Sequence, residues 1–266
     1  MSTPPEGIQC DHLDRLEKVW VRPSTLHDTE LHYCPGCSHS VVHRLLMEVV
    51  EELNIVDRTI GVAPVGCSVF AYHYLNVDMQ QAAHGRATAV ATGIKRVLPD
   101  RIVFTYQGDG DLAAIGTAET IHTINRGENI VIIFINNGIY GMTGGQMAPT
   151  TLEGAVTSTT PEGRDLASQG NPIKMSEIVA LLDGAYYVTR QAVNSAKMVR
   201  KAKKAIKTAF QYQVDGKGGT SFIEIVSNCP SGWKLTPIQA NQYIDDTVIA
   251  FFPLGDFKLP PKGNSQ

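Results

Sequence analysis

Two apolar runs, "RIVFTYQ" at Arg101–Gln107 and "NIVIIFIN" at Asn129–Asn136, restrict the fold of this chain more than any other feature. A strand that is apolar at nearly every position, rather than at alternate ones, needs cover on both faces, which is the situation of a central parallel strand. Between the two runs, Leu112–Asn125 keeps Leu112, Ile115, Ala118, Ile121 and Ile124 on one side at helical spacing. Strand, helix and strand of these lengths make a β-α-β unit.

The alternation extends in both directions. Ser40–Leu53 reads as a helix, "RTIGVAPVG" as a strand and Ala82–Leu98 as a helix. Further on come a short helix in "KMSEIVALLDG" with Ser176 as N-cap, a strand "AYYVTR", a helix over Ala192–Tyr212 and a last strand "SFIEIV". The expected fold class is α/β, a three-layer sandwich around a mainly parallel sheet. The expected organisation is a single domain over 1–266, with an N-terminal extension 1–32 and a C-terminal tail 251–266.

Gly138–Pro172 interrupts the pattern, being rich in Gly, Thr, Pro and Ser without an apolar period. A loop of that length is functional, disordered or packed against something. Phe251, Phe252 and Phe257 are too apolar for a free tail, and loop and tail together are the natural surfaces for partner chains. The basic stripe of "AKMVRKAKKAIKTAF" reads as the solvated face of a surface helix rather than a docking site.

A net charge of -3 gives no electrostatic reason to bind nucleic acid. The opening residues carry neither the basic start nor the apolar run of a secretory signal, and no stretch is long and apolar enough for a membrane span, so the expected location is the cytoplasm. Five cysteines in a reducing compartment favour metal binding or redox chemistry over disulfides.

The chemistry begins where the first apolar run ends, at Gly108-Asp109-Gly110-Asp111, directly before a helix. N–H groups in the first helical turn favour an anion there. One helix and one strand later the chain reads Asn136-Asn137, and the two strand ends are expected to be neighbours. The Asp109 carboxylate and the Asn137 amide oxygen would then meet as hard donors beside a diphosphate, which suits magnesium. A Gly-Asp-Gly alone is also a common tight turn. Cys34 and Cys37, in "YCPGCSHS", form a metal half-site whose thiolates suit zinc and iron-sulfur clusters equally.

Taken together, "GDG" followed by "NNGIYGMTGGQMAPTT", with "CPGCSH", "GCSVF" and "HGRATAVATGIK", resemble the β subunit of 2-oxoacid:ferredoxin oxidoreductases, over about Tyr33–Pro230. The resemblance, closest to the 2-oxoisovalerate branch, implies a thiamine diphosphate-binding fold. It implies Mg2+ held by Asp109, Asn137 and the Ile139 carbonyl, with Gly108, Gly110, Asp111, Gly141 and Met142 along the diphosphate. Gly66, Ser68, His84 and Gly85 would approach the thiazolium side. Cys34, Cys37, Cys67 and Cys229 would hold a 4Fe-4S cluster, leaving Cys10 over. A cluster can accept electrons singly, whereas zinc has no accessible redox state.

The resemblance further implies an activity of anaerobic metabolism: oxidative decarboxylation of a 2-oxo acid to acyl-coenzyme A, with electrons passed to ferredoxin. A separate α subunit would supply the pyrimidine-binding domain and its glutamate, a γ subunit or domain the coenzyme A contacts, and a ferredoxin-like subunit the onward electron path. No catalytic acid or base is assigned in this chain. Family members acting on 2-oxoglutarate have a basic residue shortly after the third cluster cysteine, where this sequence has Val69 and Phe70. An apolar Phe70 facing the substrate favours a monocarboxylic, branched-chain 2-oxo acid over 2-oxoglutarate, with pyruvate and indolepyruvate as lesser candidates. Two other classes compete: a non-redox thiamine-dependent decarboxylase or carboligase subunit, and a structural zinc module.

Overall fold

In the computed structural model, which describes residues 20–260, the elements follow in the order α1 (His39–Glu52), β1 (Thr59–Ala63), α2 (Ala71–Tyr74), β2 (Asp78–Gln81), α3 (Ala87–Val97), β3 (Ile102–Gly108), α4 (Thr117–Asn125) and β4 (Val131–Asn136). A small hairpin of β5 (Ile139–Tyr140) and β6 (Gln146–Met147) opens the long loop. Then come α5 (Leu166–Gln169), α6 (Met175–Ala180), β7 (Ala185–Ala192), α7 (Ala196–Val214), β8 (Thr220–Val226), α8 (Pro230–Trp233), α9 (Pro237–Tyr243), α10 (Ile249–Phe251) and β9 (Gly255–Lys258).

The two apolar runs are β3 and β4, and they pair in parallel at the centre of a seven-stranded sheet ordered β2-β1-β3-β4-β8-β7-β9. All pairings are parallel except β7 with β9. Alternate side chains of β3 feed two cores. Phe104 and Tyr106 face α1 and α7, packing with Leu45, Leu46, Ile206 and Phe210, whereas Val103 shares the opposite core with Ala87, Ala91, Ile124 and Val179. This is the expected three-layer sandwich. Truncating a fully buried residue such as Phe104 to alanine costs about 3–5 kcal/mol, the transfer free energy plus the void. No helix among the described residues is long and apolar enough to cross a membrane.

Several local expectations are corrected. The helix expected from Ala82 starts at Ala87, because Gly85 adopts φ +75° and a β-carbon there would lie 2.6 Å from Ile115 Cγ2 and 2.7 Å from Gly116 N. Polar β2 is an edge strand with no alternating signature. The expected helix over Leu112–Asn125 begins as a π-helical turn, Asp111–Ile115, an irregularity common at functional sites. Ser176 is not the N-cap of α6: Lys174 precedes the helix, and the Ser176 hydroxyl donates to Glu224 Oε2 at 2.5 Å. Helix α7 starts at Ala196, capped by the Ser195 hydroxyl, which accepts from Met198 N.

The tail packs on its own sheet. Phe252 is buried with Leu152, Val226, Ile244 and Val248, and β9 extends the sheet beside β7. Arg190 and Glu224, opposite each other on β7 and β8, are both fully buried and 3.0 Å apart, and Arg190 also binds Glu177 and the Pro253 carbonyl. On α7, Lys203 pairs with Glu48 and Glu52 of α1, and Lys207 with Glu52, so part of the basic stripe is neutralised within the fold.

Candidate functional site

Parallel pairing in the register Gly108↔Ile135 brings the ends of β3 and β4 side by side, so Asp109 and Asn137 meet as expected. They share a cleft of about 240 Å3 with Gly66, Cys67, Ser68, His84, Gly108, Gly110, Asp111, Ile139, Gly141 and Met142. A second cavity of about 320 Å3, lined by Thr151, Trp233, Tyr243 and Phe252, shares Asn137 and Ile139 with that cleft.

Asp109 is 3% exposed. Its Oδ1 accepts from Thr150 Oγ1 at 2.7 Å and its Oδ2 from Asn137 N at 3.1 Å. Burial pushes its carboxyl up to about 7, against those hydrogen bonds. The nearest terminal atom of the Asn137 amide lies 2.8 Å from both Asp109 Oδ2 and the Ile139 carbonyl oxygen. Two acceptors that close demand a donor or a cation. An NH2 group at that position satisfies both, and the amide oxygen in its place would share a cation with them. The arrangement therefore fits a small oxygen-seeking ion.

Asp111 lines the cleft, but its oxygens are committed within the protein. Oδ1 accepts from His84 Nδ1 at 2.9 Å, Gly85 N at 2.9 Å and Val65 N at 3.1 Å, while Oδ2 accepts from Gln107 Nε2 at 2.7 Å. Asp111 thus locks the His84–Gly85 turn and the loop before Cys67 to the sheet, and Gly85 itself stands behind the cleft lining. Phe70 also stands outside that lining: it is 37% exposed and meets His32 edge-on at 5.1 Å between ring centres.

The four cysteines named above converge although their sequence spacing gave no means of joining Cys67 to Cys229. A β-carbon on Gly141 would lie 3.2 Å from Cys229 Sγ and 3.3 Å from Cys67 Sγ, so the absent side chain of Gly141 leaves space between two of the sulfurs. Burial pushes the Cys37 thiol up to about 11, with Cys67 and Cys34 adding to the rise, and pushes Cys229 up to about 12, with Cys37, Cys67 and Cys34 adding. Cys37, Cys67 and Cys229, each pushed up by burial and by its sulfur neighbours, cannot ionise together without a compensating positive charge, which a metal centre provides. Cys10 lies outside the described residues.

Asn228 is the clamp that sequence spacing could not supply. Its Oδ1 accepts from Ser38 N at 3.1 Å and Ser38 Oγ at 2.9 Å, tying the turn after Cys37 to the residue before Cys229. The long loop is pinned by Arg164, 4% exposed, whose guanidinium binds the carbonyls of Pro149 and Thr151 at 3.0 and 2.5 Å and so delivers Thr150 to Asp109. A lone arginine in a Gly- and Thr-rich stretch carries no periodic signal. His39 also lines the cleft, bonded through Nδ1 to Tyr106 Oη at 2.9 Å, and sequence reasoning missed it as well.

The family described as thiamine pyrophosphate enzyme, C-terminal TPP binding domain, matches residues 64–225. The chain is 44% identical over 252 residues to ketoisovalerate oxidoreductase subunit VorA of Methanothermobacter thermautotrophicus, covering 91% of this chain and 53% of that one. It is 41% identical over 201 residues to 2-oxoglutarate synthase subunit KorB of Methanocaldococcus jannaschii, covering 75% and 69% respectively. The chain thus spans about half the length of the VorA relative. In fold it resembles 2-oxoglutarate:ferredoxin oxidoreductase from Magnetococcus marinus, with TM-score 0.75 and 24% identity over 91% of this chain and 86% of that one.

Proposed function

Because this chain belongs to the 2-oxoacid:ferredoxin oxidoreductase subunits that carry the thiamine pyrophosphate-binding domain, we propose that it carries thiamine diphosphate, Mg2+ and a 4Fe-4S cluster in a coenzyme A-acylating enzyme of that class. The observation that carries the reading is the placement of Cys67, one of four converging cysteines, in the same cleft as the Asp109, Asn137 and Ile139 oxygens.

Thiamine diphosphate, when bound, supplies the carbanion chemistry of 2-oxo acid decarboxylation, and the cluster a one-electron acceptor. The chain's own residues do the rest. Asp109, Asn137 and the Ile139 carbonyl would hold Mg2+ against the diphosphate, and Gly108, Gly110, Gly141 and Met142 would leave room for it. Asp111 holds His84 toward the cleft, with Gly66 and Ser68 nearby. Cys34, Cys37, Cys67 and Cys229 would ligate the cluster.

The substrate in this reading is a branched-chain 2-oxo acid such as 2-oxoisovalerate, supported by the match of the relative named for ketoisovalerate to more of this chain, 91% against 75%, and by Val69 and Phe70 in place of a basic residue. An α subunit with the pyrimidine-binding domain, a γ subunit or domain, and ferredoxin or a ferredoxin-like subunit complete the enzyme, in the cytoplasm. The test is anaerobic co-expression with such partners. About four irons and four sulfides per chain, Mg2+-dependent thiamine diphosphate binding and 2-oxoisovalerate-dependent viologen reduction are expected. Stoichiometric zinc without iron would overturn the cluster assignment.

A further inference from the structure

His39 opens α1 and reaches the cleft that also holds Cys67, His84 and Asp109. It is 2% exposed, and its ring stacks on Tyr33 at 4.8 Å and 13°. Its Nδ1 lies 2.9 Å from Tyr106 Oη, which has no other hydrogen-bond partner among the described residues. Tyr106 is fully buried, so the proton assignment can be argued. If Nδ1 carried the proton, the tyrosine hydroxyl proton would have no acceptor; if Tyr106 donates to Nδ1, both groups are satisfied. The imidazole proton then sits on Nε2, the one polar atom of the ring that no described protein group engages. One hydrogen bond and one stacking contact fix the ring, so the donor is held in place before any ligand arrives.

The polar groups of the cleft divide by chemistry. Asp109, Asn137 and Ile139 offer oxygens, suited to a cation and through it a diphosphate. His39 offers a donor beside Cys67 and Ser68. A 2-oxo acid at neutral pH presents three acceptor oxygens and no donor, and a preorganised donor in a water-poor site is what such oxygens need.

We propose that His39 Nε2–H donates a hydrogen bond to an oxygen of the 2-oxo acid bound in this cleft, making His39 a catalytic residue of this chain. The inference rests on the reading of the cleft as a thiamine diphosphate and 2-oxo acid site.

The test uses the assembled complex with wild type, His39→Phe, His39→Gln and Tyr106→Phe. Four quantities are measured: kcat/KM for the 2-oxo acid, the Kd of the matching non-reactive 2-hydroxy acid, the Kd of thiamine diphosphate, and iron per chain. His39→Phe keeps the stacking and loses the donor; kcat/KM should fall roughly 10- to 100-fold and 2-hydroxy acid binding should weaken, as for the loss of one preorganised donor. Thiamine diphosphate affinity and iron content should stay within about twofold of wild type, and His39→Gln, whose amide nitrogen reaches the Nε2 position, should recover most of the loss. Tyr106→Phe, which removes the proton that sets the tautomer, should give an intermediate loss and serves if His39→Phe does not fold. Unchanged kcat/KM in His39→Phe or Tyr106→Phe overturns the proposal, as does His39→Gln falling as far as His39→Phe, or a loss that tracks cofactor affinity or iron. Failure of the wild-type complex to bind thiamine diphosphate would overturn the underlying reading of the cleft, and it is seen before any variant is compared.

Discussion

Asp109 is a buried carboxylate facing the Asn137 amide and the Ile139 carbonyl, so its substitution tests ion binding directly. Asp109→Ala is expected to raise the thiamine diphosphate Kd at least about 100-fold in Mg2+ buffer, since the diphosphate alone holds the ion weakly. Calorimetry on the assembled complex reads this, and an unchanged Kd would remove Asp109 from the site. Among the thiols, Cys229→Ser should lower iron content and abolish viologen reduction, whereas Cys10→Ser should leave both near wild type. His43 gives a pH test away from the proposed ligands. Burial, then the charges of His39 and His32, push it down to about 3, and its ring packs against Tyr33, Tyr74 and Tyr106. An unfolded histidine takes up its proton near pH 6.5 while native His43 does not, so this stability is present above pH 6.5 and is lost as pH falls toward about 3. His43→Phe, which keeps the ring contacts, should therefore move the acid-unfolding midpoint to lower pH by circular dichroism; an unmoved midpoint would assign acid sensitivity to other groups.

At the level of elements, periodicity revealed the central strands and long helices because their burial is two-sided or one-faced and regular. It did not reveal β2 or the hairpin β5–β6, which are short and polar, nor the start of α3, where close packing of Gly85 on Gly116 overrides an apolar pattern. In the site, the Asp109 and Asn137 pair was legible because neighbouring strand ends follow from the β-α-β unit. The clamp between Ser38 and Asn228 was not, since a contact across 190 positions leaves no local trace. That clamp predicts an effect without removal of a ligand. Asn228→Ala strips the acceptor from Ser38 N and Oγ, leaves buried donors unpaired at a cost of about 1–3 kcal/mol, and should lower iron per chain severalfold. Full iron loading in that variant would show that the cysteines hold their places without it.

For the molecule as a whole, the three-layer architecture was readable from sequence, whereas the far end of the substrate was not. Phe70 was singled out by its place after Cys67, yet it is partly exposed against His32 and His73 rather than in the cleft lining. Its influence therefore depends on what covers that surface in the assembled enzyme. Phe70→Arg tests it: kcat/KM for 2-oxoglutarate should rise relative to 2-oxoisovalerate, and an unchanged ratio would assign specificity elsewhere. The wide dispersal of the four cysteines also sets a schedule for biogenesis. Cys34, Cys37 and Cys67 leave the ribosome early, and Cys229 follows 162 positions after Cys67, on the order of 10–30 s later at ordinary rates of synthesis. Through that interval three thiols are exposed to oxidation and stray metals with the fourth still unmade, so the proposed cluster would find its complete nest only after β8 has docked, and its insertion would be a checkpoint on finished folding.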